Sequence, residues 1–225
     1  MTSENNEHSN GHANGSNGSA NGHAELDEDV DGVEEGTDEG VEEELEPLTG
    51  EIAELASACV RFVHAKTGVA LDFTRDTLSV LDLYVAEARG ELSAKPESLD
   101  LLQATTGAYF GEVIRREHHG FWKTGPHHEG WRIQMARVFL EFNPIGMMRE
   151  ALLLDSAEGW NAHIEVDPAE RDKVSARLKA MPEVEEDEFY APTTRIEVID
   201  VAVELLADSM RREGLGGTRF TKEDY

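Results

Sequence analysis

The first 48 residues hold fifteen aspartates and glutamates and no lysine or arginine. Nothing else constrains the fold as strongly. Uncompensated like charge with few aliphatic residues cannot offset the entropy of ordering a chain. Within this segment the stretch HSNGHANGSNGSANGHA is of low complexity, and the acidic run ELDEDVDGVEEGTDEGVEEELEP follows it. Residues 1–48 are therefore read as a disordered acidic tail. Residues 49–213 are read as one α+β domain, mostly helical with a small antiparallel sheet, and 214–225 as a flexible C-terminus.

One spacing in the tail invites a second reading. Asp27, Asp29, Asp31, Gly32 and Asp38 fall at positions 1, 3, 5, 6 and 12 of a calcium-binding loop. Against this, Glu34 stands where an apolar residue is usual, Asp38 replaces the bidentate glutamate, and no amphipathic helix flanks the loop. Aspartate-rich disorder is the expectation.

The net charge is −27, and outside the tail 32 acids still outnumber 20 bases. Both parts would be repelled by a phosphate backbone or an anionic membrane surface, so nucleic acid and membrane are not expected partners. The start MTSENNEHSN has neither a basic stretch nor an apolar one, and no window approaches a membrane span. The single Cys59 excludes an internal disulfide and fits a reducing compartment. A cytoplasmic location is expected.

Hydrophobic spacing lays out the domain. Ile52, Leu55, Ala56, Cys59, Phe62 and Val63 predict a helix over 51–67, closed by Gly68. A second helix is predicted over 75–89 with Gly90 after it, and a third from about Ser98 through Tyr109 and Val113. After Gly120 the period changes to two: 121–123 and 131–142 read as strands joined through TGPHHEG, with one bent strand or two left open. Asn143 and Pro144 read as the cap and first residue of a central helix. Asp167, Pro168 and Glu170 resemble the start of a helix reaching Ala180; EVEEDE reads as an exposed loop, and 195–212 as the last helix.

Three groups of residues suggest chemistry. Glu112, Arg115 and Arg116 fall within two turns of one helix, so the acid is either a general base or the centre of an ion pair fixing helix to sheet. The second reading is the expected one. His118-His119 and His127-His128 sit at the two ends of the first strand pair, where imidazoles with Glu117 or Glu129 can hold zinc, copper or nickel. Adjacent histidines in a strand point to opposite faces, so two or three ligands are available at most. Finally, Phe121, Trp122, Trp131, Trp160 and Phe189-Tyr190 are expected in the core, with some left to line a groove for another protein. Cys59 falls on an apolar stripe, and no G-x-S-x-G elbow is present.

The run GAYFGEVIRR, the following G-F-W, Trp131 and the strand ending at Asn143-Pro144 resemble an uncharacterised bacterial domain family with a G-x-Y-x-G-E-x-x-R-R helix followed by tryptophan-bearing strands. The similarity covers about residues 70–155. It implies an α+β fold and no established activity, and it assigns no catalytic residue. The function expected from all of this is a non-enzymatic cytoplasmic regulatory protein, without a cofactor. It would bind and restrain a partner protein with a basic surface, through a site drawn from Glu112, Arg115, Arg116, Trp122 and Trp131, with the tail as interaction segment or proteolytic handle. The alternative is a metal-assisted hydrolase using Glu112, His118 and His128.

Overall fold

The computed structural model describes residues 45–225. The calcium-loop spacing and nearly all of the expected tail lie outside the described residues. Its last part, 45–48, is not free: Leu48 packs on the cluster that contains Ile52, Ala56 and Trp131, and the Glu46 carbonyl accepts a hydrogen bond from Arg115.

Helix α1 (Gly50–Thr67) buries Ile52, Ala56, Cys59 and Val63, one stripe at helical spacing. Gly68 ends it at φ 75°, its N–H bonding to the His64 carbonyl as a left-handed cap. Burial pushes the Cys59 thiol far up, so it stays protonated.

Helix α2 (Leu78–Leu92) begins after a single 3₁₀ turn at Arg75–Thr77. It runs through Gly90, which the sequence placed beyond its end. A mid-helix glycine costs about 1 kcal/mol, and the next turn is anchored: Glu91 pairs with Lys66 at 2.7 Å and Leu92 packs on the core.

Helix α3 (Leu99–His118) is the centre of the molecule, buried at every position from Gln103 to Arg115. His119 closes it in the left-handed region at φ 55°. Strands β1 (Gly120–Lys123), β2 (Arg132–Met135), β3 (Leu140–Phe142) and β4 (Glu165–Val166) form one antiparallel sheet in that order. Residues 131–142 thus form two strands, paired through Ile133 and Phe142. The fourth strand was not foreseen: two residues carry no periodicity.

Helix α4 (Pro144–Leu153) starts as expected, with the Asn143 side chain accepting from the N–H groups of Ile145 and Gly146, both at 3.0 Å. Glycines let α3 and α4 touch closely: a Cβ on Gly107 would fall 2.5 Å from the Ile145 Cα, and one on Gly111 2.8 Å from the Pro144 ring and 2.5 Å from the Trp122 ring of β1.

Helix α5 (Arg171–Lys179) starts later than the Asp167 pattern suggests, since Asp167 instead holds the N–H of Ala169 in the preceding turn. The expected acidic loop contains a short helix, α6 (Glu186–Phe189). Helix α7 (Pro192–Arg212) begins one turn early, because its first turn is capped from outside. The Asp82 carboxylate of α2 accepts from the Thr193 N–H at 3.1 Å and its hydroxyl at 2.6 Å.

The C-terminus, expected to be flexible, folds back on the sheet. The Phe220 N–H bonds to the Ala136 carbonyl, Tyr225 stacks on Phe139, and the Tyr225 hydroxyl accepts from the Leu140 N–H at 3.0 Å. Three apolar rings and a buried hydroxyl anchor a segment that composition alone marks as mobile.

Candidate functional site

The α3 charge cluster is closed on itself. Glu112 is fully buried (0% exposed), with Arg115 Nε on Oε2 at 2.7 Å, Arg115 Nη2 on Oε1 at 3.0 Å and Arg116 Nε on Oε1 at 2.7 Å. Burial pushes the carboxyl upward, but hydrogen bonds first from Arg115 and then from Arg116 outweigh it, leaving the group below the ordinary glutamate value. A permanent carboxylate with both oxygens occupied by cations is a poor general base.

Around it the arginines are themselves placed. Arg116 lies over the Phe73 ring at 4.5 Å, and that ring packs on Tyr109 at 4.9 Å. Phe73 sits at φ 63°, a costly conformation for a bulky residue, held by its N–H bond to the Tyr109 hydroxyl. The cluster joins the 68–77 connection to the centre of the fold.

The aromatic part of the expected surface is core as well. Trp131 is 2% exposed, its indole N–H on the Gly125 carbonyl at 2.9 Å, and Trp122 fills the space that Gly111 leaves open. Of Glu112, Arg115, Arg116, Trp122 and Trp131, only Arg116 and Trp122 reach the surface in part. The five do not form a docking patch, because their size and charge are used in burying one another.

The histidines are dispersed. His118 bonds to Asp200 of α7 at 2.8 Å, His128 faces Glu51 of α1 at 3.2 Å and the edge of Trp131, His119 caps α3, and His127 is exposed in the hairpin connection. Glu112, His118 and His128, named together for metal-assisted hydrolysis, have three separate sets of partners. Among the described residues one trio lies close enough to share an ion: Glu117, His118 and Asp200, with ligand atoms within 4.8 Å of one another. Arg75 already bonds to both of its carboxylates; burial pushes the Asp200 carboxyl upward, but hydrogen bonds from His118 and Arg75 with the Arg75 charge outweigh it and hold the group below the usual range.

A different region is open. A groove of about 560 Å³ lies between α5, the 180–189 segment and the start of α7, over Met147 and Val166. Val174 and Leu178 of α5 line it together with Met181, Val184 and Phe189 of the 180–189 segment. Val184 is 41% exposed and Phe189 45%. Arg195 fixes this region: it pairs with Glu150 at 2.8 Å and lies 4.5 Å from the Phe189 ring centre and 5.1 Å from that of Tyr190.

Four charged residues line the groove without an ion-pair partner among the described residues: Arg171 and Lys179 on α5, Glu188 on α6 and Glu197 on α7. The volume is in the range of sites that bury a ligand or several side chains.

No family model, curated protein or solved structure matches this chain. The motif resemblance rests on its own residues. No helix among the described residues is long and apolar enough to cross a membrane.

Of the groove's lining only Phe189 stands out in the sequence, among the aromatics that could line a groove; the other parts are dull one at a time. One signal was present. In MPEVEEDEFY, Met181, Val184 and Phe189 interrupt an acidic run at positions where a purely solvated loop needs no apolar side chain.

Proposed function

We propose that this chain is a non-enzymatic regulatory protein that binds a partner protein and restrains it, and that the groove between α5, α6 and α7 is its docking surface. One contrast carries this reading. The titratable side chains of the α3 cluster are closed in ion pairs, while the groove presents exposed Val184 and Phe189 beside charges that have no ion-pair partner among the described residues. A partially exposed apolar patch rimmed by charge is the usual mark of an interaction surface.

The net charge of −27 favours a partner with a basic surface, which it would attract over distance in low salt. Residues 1–48 add to that attraction as an acidic interaction segment, or give a protease a place to begin. The reading needs no cofactor.

The test begins with the partner that the whole, untagged chain retains at equal stoichiometry in low salt. Its affinity is then measured with both proteins purified. Val184→Glu should weaken binding at least about tenfold, about 1.4 kcal/mol, and Leu83→Glu, at an exposed site on α2, should not. Equal binding by both variants would move the surface elsewhere, and a chain that retains no partner would sink the reading.

Metal-assisted hydrolysis has one observation behind it, the Glu117–His118–Asp200 trio. Stoichiometric zinc in the untagged protein, lost together with a hydrolytic activity in His118→Ala, would favour it over the binding role.

A further inference from the structure

The walls of the groove differ in sign. On α5, Arg171 and Lys179 both line it; α6 and α7 contribute Glu188 and Glu197, beside Arg195, whose charge is taken up by Glu150, and none of the first four has an ion-pair partner among the described residues. Lys173, which also belongs to α5, does pair, with Glu170 at 2.8 Å. Arg177, the fourth base of α5, has no ion-pair partner among the described residues either, and it does not line the groove.

Arg171 and Lys179 are eight residues apart on one helix. That is slightly over two turns, so they lie on neighbouring faces about 12 Å apart along the axis. Most of the remaining lining is apolar, Val174, Leu178, Met181, Val184, Phe189 and Val198 among it, with Ser175 and Thr194 as small polar members.

We infer that the groove takes one amphipathic helix of the partner, seated by its apolar stripe, with an acidic flank against Arg171 and Lys179 and a basic flank against Glu188 and Glu197. An extended segment fits less well. The sheet edge nearest the groove is β4, whose two residues offer too short a ladder for an added strand. A helix needs no ladder. About three side chains from one face, at i, i+3 or i+4 and i+7, suit a trough of this volume.

The 12 Å span of the α5 bases matches two acids about two turns apart on the helix flank. Opposite flanks of opposite sign also make the site selective, because a helix charged alike on both flanks meets repulsion along one wall.

This inference rests on the docking surface proposed above and is tested with defined probes on the full chain. Three fluorescein-labelled peptides of about 18 residues share one apolar stripe. One has glutamates on one flank and lysines on the other, one has lysines on both, and one has glutamates on both. The mixed peptide should bind about tenfold tighter than either uniform one in low salt, with the gap narrowing as salt is raised. In the double variant Arg171→Glu/Lys179→Glu the preference should pass to the doubly basic peptide.

Three peptides bound alike, or a double variant with unchanged preference, would overturn the inference. So would an apolar dye that binds in the groove and that none of the peptides displaces, which would assign the groove to a small ligand. If Val184→Glu abolishes partner binding while the charge variants leave it intact, the helix assignment fails and the docking surface stands. If Val184→Glu has no effect on partner binding, the surface itself is wrong.

Discussion

The α3 cluster and the α5–α6–α7 groove contain the same kinds of side chain and use them in opposite ways. Around Glu112, two arginines close on one carboxylate and Phe73 lies under Arg116, so every charge of the cluster is answered within the fold. Around Val184, charges of both signs have no ion-pair partner among the described residues and aromatic surface stays in contact with water. A conspicuous cluster of charged and aromatic residues is therefore weak evidence of a site. What distinguishes one is whether the residues satisfy each other, and that depends on neighbours far away in sequence, such as the Glu46 carbonyl that receives Arg115.

The contrast is sharpest if Glu112 is altered. Glu112→Gln leaves two arginines without their carboxylate, and breaking a buried pair this way costs about 3–5 kcal/mol. Thermal denaturation at neutral pH should show this as the largest loss among the variants considered. The acid limb gives a second reading of the same group. Its folded pKa lies below the ordinary value of 4.5, so the stability it contributes is full above that value and is lost as pH falls through the lower folded value. The wild type should lose stability over that window, and the variant should lack that part of the slope. A Glu112→Gln protein as stable as wild type would mean that the cluster is not a structural element at all.

Next in size is Gly107→Ala. The added methyl would meet backbone at Ile145, which cannot swing aside as a side-chain tip would, so the α3–α4 contact must open at a cost of about 1–3 kcal/mol. Gly217→Ala, with nothing within 4 Å, should be neutral in the same melting experiment. Near-equal melting temperatures would show that α3 and α4 yield easily.

Much of this central region was legible in the sequence. The stripe of α1, the change of period after Gly120 and the Asn143-Pro144 cap are local patterns, and each appears in the structure. What stayed hidden was decided by contacts between segments distant in sequence. Gly90 looks like a stop until Lys66 and the core hold the turn beyond it. The first turn of α7 lacks a local cap because Asp82, 111 residues away, supplies it. Trp131 looks like interface material until the α1–α3 cluster surrounds it. The groove was illegible for the same reason, since its walls come from five separate stretches of chain.

Asp82→Ala tests how far the groove depends on such a remote contact. It removes the acceptor for the Thr193 N–H and hydroxyl, and by analogy with helix caps should cost about 0.5–2 kcal/mol. Because Thr194, Arg195 and Glu197 in the adjoining turns line the groove, peptide binding should weaken along with stability. Loss of stability with full binding would mean that the groove wall is held by Arg195 and Glu150 and not by the cap.

The smallest effect on stability is expected where the effect on binding is greatest. Val184 lies in an acidic connection, 41% exposed, so Val184→Glu should change stability by no more than about 0.5 kcal/mol. The new carboxylate joins Glu183 and Glu185 in solvent and adds little repulsion at ordinary salt. In the groove its effect is different, because an apolar side chain entering there would have to strip water from the charge. Melting temperature and peptide affinity measured on one preparation should therefore separate, the first nearly unchanged and the second reduced at least about tenfold, or about 1.4 kcal/mol. At Glu112 the two quantities should fall together, since affinity there can be lost only through the fold. A Val184→Glu protein that melts early would place Val184 in the core, making the groove a packing defect and removing the distinction between the two regions.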